Sequence, residues 1–324
     1  MNRRGFTIVE LLIVVVVIAI LAAITVVAFN GITNQAKESA RIAELKQWKK
    51  KSETYKVEHG IECPHNYAFV YGNSTLGTND FCVMKYEAKN VGGVPTSQAS
   101  GTPWVSITQP NAIIASQAAG GHLLTEAEWM TIAADVLSVK YNWSETEVGS
   151  GYVYQGHVNN GPDAALAASD DDSDALYGIT DGTGDTPGTN SSRVLWLTSG
   201  DAIWDFSGNV WEWTSQQQAM NQVGVPGDSG FVWREWTRTV LSLGNLPTAS
   251  IPDTLATVEG LEDITNWNSD QGVGKLYANY SDTATRVFRR GGNWNNMNDA
   301  GVLTLHLDRP PTNSNGFIGF RVAQ

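Results

Sequence analysis

The hydrophobic pattern of the chain begins with one long apolar run. The nineteen residues from Leu11 to Phe29 include no charged residue and no proline, and a single carboxylate, Glu10, stands just before them. A helix rises 1.5 Å per residue, so this run spans about 29 Å, enough to cross a hydrocarbon core. It is longer than the apolar part of a signal peptide, and no A-x-A-like cleavage site follows a short core. The pattern predicts a membrane span over about residues 6–29.

After the apolar run the sequence still favours a helix, but charged residues are now interspersed among the apolar ones. Residues 31–58 contain no proline. One helical face carries Leu45, Trp48, Ser52 and Tyr55. Gly60 is suited to a C-cap, and a proline follows four residues later. We therefore predict one long helix over residues 6–59.

Beyond Gly60 the pattern changes to short apolar stretches separated by Gly, Asn and Asp turns. This part holds eleven of the twelve tryptophans. Its length is sufficient for a full hydrophobic core, and no regular alternation of strands and helices appears. The sequence predicts an α+β domain over residues 60–324, with irregular loops.

Charge divides the chain at the same place. Up to Gly60 there are nine Lys and Arg against five Asp and Glu, whereas from Ile61 onward there are twelve against twenty-eight, a balance of −16. Nucleic acid is therefore not an expected partner, because phosphate binding needs a basic face.

The two cysteines, Cys63 and Cys82, lie close together in the sequence. In an exported domain such a pair predicts a disulfide, which the chain-entropy model values at about 3 kcal/mol. Two reduced thiols in the core are the alternative.

The N-terminus, Gly5-Phe6-Thr7-Ile8-Val9-Glu10-Leu11-Leu12, resembles the processing site of type IV pilins and pseudopilins. The resemblance implies that residues 1–5 are a leader, that a prepilin peptidase cuts after Gly5, and that Phe6 is then methylated. It also implies that Glu10 pairs with the N-terminal amine of a neighbouring pilin subunit, which would neutralise a carboxylate that is costly inside a membrane. The expected location is the inner (cytoplasmic) membrane before assembly, and afterwards the cell surface or an extracellular pilus.

A second resemblance extends over about residues 81–324. Its blocks are Phe81–Glu87, Gly120–Trp129, Trp204–Trp213, Arg290–Asn296 and Gly319–Arg321. In this order they resemble the formylglycine-generating-enzyme/sulfatase-modifying branch of the C-type-lectin-like fold. Within the second block, Thr125 and Glu128 have the spacing of a capping box. The oxidases of that branch hold copper with a cysteine pair near the C-terminal end of the domain, and here no cysteine follows Cys82. We therefore expect no enzyme activity.

One acidic stretch has oxygen ligands at calcium-like spacing, in Asp170, Asp172 and Asp174. Ala175 stands where an EF-hand loop requires glycine, and no bidentate glutamate closes the loop. We expect a solvated acidic loop, with calcium as the alternative, and no other cofactor.

The segment 292–321 is rich in asparagine and resembles the variable region of proteins diversified by retroelements, which end in this lectin-like fold. In those systems template adenines are randomised, and an AAC codon can become Asp, His, Arg, Gly, Phe, Ser, Thr or Leu. Met297 does not derive from AAC.

The candidate ligand-binding residues are Met297, Asp299, Thr304, His306, Asp308, Arg309, Thr312, Ser314, Gly316 and Phe317. The fixed positions between them, expected to be core anchors, are Val302, Leu303, Leu305, Leu307, Ile318 and Phe320. An ordinary Asn-rich terminus is the alternative.

Three functions therefore compete. The first is a filament- or membrane-anchored receptor or adhesin whose C-terminal face binds a variable protein or cell-surface ligand. The second is a structural pilin, major or minor, with no diversified site. The third is an enzyme of the formylglycine-generating type. The receptor hypothesis expects that replacing His306, Asp308, Arg309 and Phe317 together removes binding without lowering the melting temperature.

Overall fold

The structure is a computed structural model that describes residues 7–168, 192–236, 240–262 and 264–324. The chain divides into two compact units, Met1–Gln47 and Trp48–Gln324. The leader with Gly5 and Phe6 lies outside the described residues, and so do Asp170, Asp172 and Asp174.

The N-terminal helix α1 extends over Ile8–His59. Thr7 precedes its first turn, where the Thr7 backbone N–H donates to Glu10 Oε2 at 2.8 Å. The segment Ile8–Thr25 is long and apolar enough to cross a membrane, and none of it is buried within the protein. The helix ends at His59 as predicted, because Gly60 adopts φ +66° and ends the helical backbone.

The second unit adds two α-helices, α2 (Gln109–Ala118) and α3 (Glu126–Ser138). Its strands are β1 (Tyr67–Val70), β2 (Phe81–Met84), β3 (Lys89–Val91), β4 (Val94–Thr96), β5 (His122–Leu123), β6 (Val194–Trp196), β7 (Ala202–Trp204), β8 (Trp211–Ala219), β9 (Val223–Gly224), β10 (Val232–Arg234), β11 (Ser242–Leu243), β12 (Leu276–Ala278), β13 (Thr285–Gly291), β14 (Gly301–His306), β15 (Ile318–Phe320) and β16 (Val322–Ala323). Short 3-10 helices cover Lys140–Asn142, Thr248–Ser250, Pro252–Thr257, Ile264–Asn266, Ser269–Gln271 and Met297–Asp299. This mixture confirms the predicted α+β class.

Two sheets organise the domain. The larger has the strand order β10-β12-β14-β13-β8-β15, and the smaller has the order β1-β2-β16-β5. The C-terminal strand β16 therefore lies between strands from the start of the domain. Three two-stranded ladders complete the described pairing: β3 with β4, β6 with β7, and β9 with β11. In the larger sheet β14 runs antiparallel to β13 and parallel to β12, which places residues from distant parts of the sequence side by side.

Helix α3 packs its apolar side into the main core. Thr125 caps it, and the predicted capping box with Glu128 is present. Trp129 is fully buried, and its indole N–H donates to the Val302 carbonyl at 2.8 Å. The predicted anchors of the C-terminal segment are likewise all buried: Val302, Leu303, Leu305, Leu307, Ile318 and Phe320.

Buried ion pairs join the sequence blocks of the domain. They are Arg290 with Glu126 at 2.5 Å, Arg321 with Glu212 at 2.8 Å, and Arg193 with Asp205 at 2.7 Å. Removing one partner of such a pair leaves an uncompensated buried charge, which costs about 3–5 kcal/mol. The charged residues of these blocks therefore have a structural role.

The last turns of α1, residues 48–59, are fixed to the domain by polar contacts. Ser52 Oγ donates to the Ser199 carbonyl at 2.7 Å, and the Tyr55 hydroxyl donates to Asp80 Oδ2 at 2.9 Å. Just beyond the helix, Cys63 and Cys82 form the predicted disulfide, which ties the segment after α1 to β2.

Candidate ligand-binding face

The structure distributes the candidate residues over three places. Met297 and Asp299 lie before β14, while His306, Asp308 and Arg309 lie at its end. Strand β14 has six residues, so the two groups are roughly 17 Å apart along it. Thr304 lies within β14, two residues before His306. The remaining four candidates occupy the loop that leads to β15: Thr312, Ser314, Gly316 and Phe317.

Two candidates do not point into solvent as the sequence suggested. Thr304 and His306 alternate with the buried leucines of β14 and project from the opposite face of the sheet, but that face is covered as well. The backbone at Gly274 passes so near Thr304 that a Cβ on Gly274 would lie 1.8 Å from Thr304 Oγ1. The Thr304 hydroxyl donates to the Asp299 carbonyl at 2.7 Å. Thr304 is therefore a buried packing residue.

His306 is buried because aromatic rings from three strands surround it. Its ring lies 5.0 Å from that of Trp211, 5.2 Å from Trp233 and 4.1 Å from Tyr277, measured between centroids. Trp211 is buried, whereas Trp233 and Tyr277 are half-buried. This group, with Phe231 stacked 5.7 Å from Tyr277, forms a continuous aromatic surface, which we call the aromatic face.

The aromatic face could not be located from sequence spacing. Its rings come from β8, β12, β14 and from β10 with the residue before it, and only the sheet order brings them together. In the sequence, Trp233 lies between Phe231 and Trp236, and Tyr277 lies three residues before Tyr280, with no local sign that Trp233 and Tyr277 meet. The one available signal was the alternation of apolar and polar residues around them in short strands. Such alternation predicts that each ring is half-buried, but it does not predict which residues lie next to it.

An ion pair closes the edge of the aromatic face. Arg289 Nη2 donates to Asp308 Oδ1 at 2.9 Å and lies 3.1 Å from His306 Nε2. His306 Nδ1 lies 2.9 Å from the same Asp308 oxygen. A neutral imidazole protonated on Nδ1 satisfies both contacts. The guanidinium carbon of Arg289 also lies 4.7 Å from the centre of the Trp211 ring, a cation–π geometry.

Burial and charge fix the protonation states of this cluster. Burial, followed by the neighbouring Arg289 charge, lowers the pKa of His306 to about 3, so the imidazole is neutral at physiological pH. Burial also lowers the pKa of Arg289, to about 10, and it stays charged. Burial alone would raise the pKa of Asp308, but the His306 hydrogen bond and the Arg289 and Arg309 charges lower it to about 2. The cluster therefore holds one ionised pair, of buried Arg289 and half-buried Asp308, beside a neutral ring.

Asp308 and His306 thus have structural roles, as Thr304 does, and the accessible candidates are the remaining seven. Arg309 keeps 34% of its side chain exposed while its Nε lies 3.3 Å from Asp308. Met297 is 64% exposed, and Asp299 binds Lys275 at 3.0 Å. Thr312, Ser314 and Gly316 are exposed, and Phe317 is half-buried with its ring edge-on to Trp294 at 6.4 Å.

Within the described ranges, no group of three or more His, Cys, Asp or Glu residues is arranged to hold a metal ion. The calcium candidates Asp170, Asp172 and Asp174 fall outside those ranges, so the solvated acidic loop, with calcium as the alternative, stays a prediction.

Comparisons with known proteins agree with two of the three resemblances. The family model of the sulfatase-modifying factor enzyme 1-like domain matches residues 45–324, and that of the prokaryotic N-terminal methylation motif matches residues 1–26. No curated protein matches the chain.

Several solved structures are similar to the chain at low identity. The Major Tropism Determinant U1 Variant is 14% identical, over 80% of this chain and 52% of that chain, with a TM-score of 0.33. Treponema denticola variable protein 1 is 13% identical, over 81% of this chain and 92% of that chain, with a TM-score of 0.33. PvdO from Pseudomonas aeruginosa is 15% identical, over 76% and 80%, with a TM-score of 0.32. The chain spans about half the length of the Major Tropism Determinant chain.

Proposed function

The chain belongs to the family of sulfatase-modifying factor enzyme 1-like domains, and we propose that it acts as a surface-displayed binding protein. Its N-terminal methylation motif and apolar helix hold it in a membrane or filament. Its C-terminal part presents the aromatic face and the exposed residues around it to a variable protein or cell-surface ligand.

The observation that carries this proposal is the composition and support of the aromatic face. Trp233 and Tyr277 are half-buried and keep part of their rings accessible, and Arg309 stands at the edge. Trp, Tyr and Arg are the residues that supply most of the binding energy at protein interfaces. The rings are held by sheet pairing and by the buried Arg289–Asp308 pair, so little conformational entropy remains to be lost on binding. A rigid scaffold with exposed loop residues is an arrangement suited to ligand recognition.

The anchoring part of the proposal rests on Gly5, Phe6 and Glu10. A prepilin peptidase cuts after Gly5, Phe6 is methylated, and Glu10 pairs with the terminal amine of another pilin subunit. Replacement of Gly5 by a residue that the peptidase rejects, such as Gly5→Val, should leave a longer, uncleaved chain in the membrane. Normal processing of this variant, measured by mass, would remove the pilin part of the proposal.

We further propose that the segment 292–321 is diversified by a retroelement. The accessible candidates, among them the half-buried Asp299 and Arg309 and the exposed Gly316, are derivable from AAC codons by changes at adenines. Deep sequencing of the locus in a population should find a near-copy of this segment that differs almost only at adenines, beside a reverse-transcriptase gene. Finding a single invariant copy would contradict the diversification proposal. The chain would then be a pilin with a lectin-like domain, and a structural role and a binding role would be equally supported.

Catalysis of the formylglycine-generating type is not part of the proposal. Those oxidases need a cysteine pair as copper ligands, and Cys63 and Cys82 are joined in a disulfide that ties the segment after α1 to β2. A thiolate metal site would require that disulfide to be reduced and both sulfurs to turn toward the end of the domain.

The binding function is tested with cells that display the chain. Cells with the wild-type chain, cells without it, and cells with Gly5→Val are mixed with a panel of intact bacterial cells and virus particles. The proposal expects at least one member of the panel to adhere to the wild-type cells alone. Equal adherence to all three cell types across a broad panel would contradict it.

A further inference from the structure

A pocket of about 560 Å³ lies beside the last turns of α1. The residues that line it, which together we call the helix pocket, are Trp48, Lys51, Tyr55, Tyr71 and Thr198. All five belong to the second compact unit, and none of them adjoins a part of the chain that the structure does not describe. Ligand sites typically occupy about 300–1,000 Å³, so the helix pocket has the size of a site for a small molecule or a short oligomer.

One wall of the helix pocket is a stripe of side chains on α1. Trp48, Lys51 and Tyr55 stand at positions i, i+3 and i+7, which lie on the same face of a helix. Trp48 and Tyr55 are two turns apart, about 10 Å along the helix axis. The opposite wall comes from Tyr71, just after β1, and from Thr198 in the turn between β6 and β7. Aromatic rings therefore stand at both ends of the stripe, with an amine between them.

The aromatic rings of the helix pocket are held from behind by other rings. Tyr55 lies edge-on to Tyr71, with 5.2 Å between the ring centroids, and Tyr71 lies edge-on to the buried Phe69 at 4.8 Å. Trp48 contacts Tyr141 at 6.2 Å in a tilted arrangement. All three lining rings are half-buried, so part of each stays accessible. Rings fixed in this way lose little conformational entropy when a ligand packs on them.

The helix pocket presents one charged group, the Lys51 ammonium. The neighbouring lysines of α1 are paired, Lys49 with Asp201 at 2.5 Å and Lys56 with Glu53 at 2.8 Å. Lys51 is exposed and forms no ion pair or hydrogen bond through its side chain with any residue that the structure describes. Its three N–H donors are therefore available to a ligand.

Carboxylates near the pocket offset that charge. Burial, followed by Tyr55 and the carboxylates of Asp80, Asp135 and Asp201, raises the pKa of Tyr71. These three carboxylates therefore lie close enough to act on the Tyr71 side of the pocket. An anionic ligand would be repelled by them, and a cationic ligand would be repelled by the lysine ammonium. The charge distribution favours a neutral ligand.

We propose that the helix pocket is a further binding site of this protein and that its ligand is a neutral saccharide. A sugar ring has a face of C–H groups, which packs against aromatic rings, and hydroxyl groups at its rim, which exchange hydrogen bonds with amines and hydroxyls. Trp48, Tyr55 and Tyr71 match the first feature, and Lys51 and Thr198 match the second. None of the five lies within residues 292–321, so this site stays constant if that segment is diversified. The inference goes beyond the proposed function and does not depend on the aromatic face.

Two adjacent lysines allow a matched test. Lys51 lines the helix pocket, whereas Lys50 is also exposed on α1 and does not line it. Lys51→Ala and Lys50→Ala therefore make the same chemical change inside and outside the site, and exposed positions tolerate such changes with little effect on stability. Trp48→Ala removes a lining ring, and Tyr152→Ala removes a partly exposed ring elsewhere. The melting temperature checks that all four variants fold.

The probe is an array of immobilised neutral and acidic oligosaccharides, incubated with the full chain in micelles of a detergent that has no sugar headgroup. We expect the chain to bind at least one neutral oligosaccharide. This binding should be about tenfold weaker for Trp48→Ala, which loses a stacked ring. It should be about threefold weaker for Lys51→Ala, which loses a hydrogen-bond donor. Lys50→Ala and Tyr152→Ala should bind as the wild type does.

Three results would overturn the proposal. They are binding of no neutral oligosaccharide, wild-type affinity in either Trp48→Ala or Lys51→Ala, and a protein ligand, in place of any saccharide, whose binding requires Trp48. The proposed function of the aromatic face is tested through Trp233, which does not line the helix pocket. Failure of this inference therefore leaves that function standing.

Discussion

Asp308 provides the sharpest test of how the candidate face is built. Its carboxylate accepts a hydrogen bond from Arg289, whose guanidinium is almost entirely buried, and contacts the ring of His306. If Asp308 is replaced by alanine, the Arg289 charge remains in the interior without its partner. Loss of one member of a buried pair costs about 3–5 kcal/mol, so Asp308→Ala should lower the free energy of unfolding by about that amount.

The pKa of Asp308 gives a second route to the magnitude. It lies at about 2, against an ordinary value of 3.8. Because one pKa unit corresponds to about 1.4 kcal/mol, ionised Asp308 stabilises the fold by about 2–3 kcal/mol. A lowered pKa means that this stability is present above pH 4 and is lost as the pH falls toward 2. Asp308→Asn should therefore cost about 2–3 kcal/mol at pH 7, and its difference from the wild type should shrink below pH 4.

Urea unfolding of the full chain in detergent micelles, followed by tryptophan fluorescence, measures these differences. The control is Asp308→Ala combined with Arg289→Met, which removes both charges and should be more stable than Asp308→Ala alone. A loss below about 1 kcal/mol for Asp308→Ala, or a double variant less stable than the single one, would refute the assignment of Asp308 as the counter-ion of Arg289.

Three further variants test other parts of the fold. Burial raises the pKa of Asp135 to about 6, so ionisation of this side chain destabilises the fold. Asp135→Asn should therefore raise the free energy of unfolding by up to about 3 kcal/mol at pH 8 and leave it unchanged below pH 4. A difference in urea unfolding that does not vary with pH would contradict this. Replacing both Cys63 and Cys82 by serine should lower the free energy of unfolding by about 3 kcal/mol, because the loop is no longer closed. If the doubly substituted chain melts at the same temperature as the oxidised wild type, the disulfide adds no stability. Thr125→Ala removes the N-cap of α3 and should cost about 1 kcal/mol, whereas a loss below 0.3 kcal/mol would mean that water replaces the cap.

Much of the scaffold could be predicted because its signals are local. The apolar run, Gly60 and the capping box at Thr125 each act within one or two turns, and the C-terminal end of α1 and the cap of α3 are where the sequence places them. The alternation in the C-terminal segment correctly identified the buried residues of β14, such as Leu303 and Leu305, because it reflects the two faces of a strand.

The candidate face was harder to predict. Alternation of residue types shows that a strand has two faces, but it does not show which parts of the chain cover each face. Thr304 and His306 occupy the side expected to be exposed, yet the Gly274 backbone and the rings of Trp233 and Tyr277 cover them. Those covering groups are distant in the sequence and meet through the order of strands in the sheet, which no local pattern specifies. The expectation that His306 and Asp308 could be replaced without loss of stability is therefore wrong, and replacing them should lower the stability of the fold.

The central claim is that the aromatic face binds the ligand, and adhesion of cells displaying Trp233→Ala tests it most directly. The comparison is with cells displaying Tyr152→Ala, which removes a half-exposed aromatic ring outside the face. Display is first equalised by antibody staining, and melting temperatures confirm that both chains fold. The account predicts at least tenfold weaker adhesion of Trp233→Ala to the surface that the wild type binds, and unchanged adhesion of Tyr152→Ala. Equal adhesion of wild type and Trp233→Ala would contradict it.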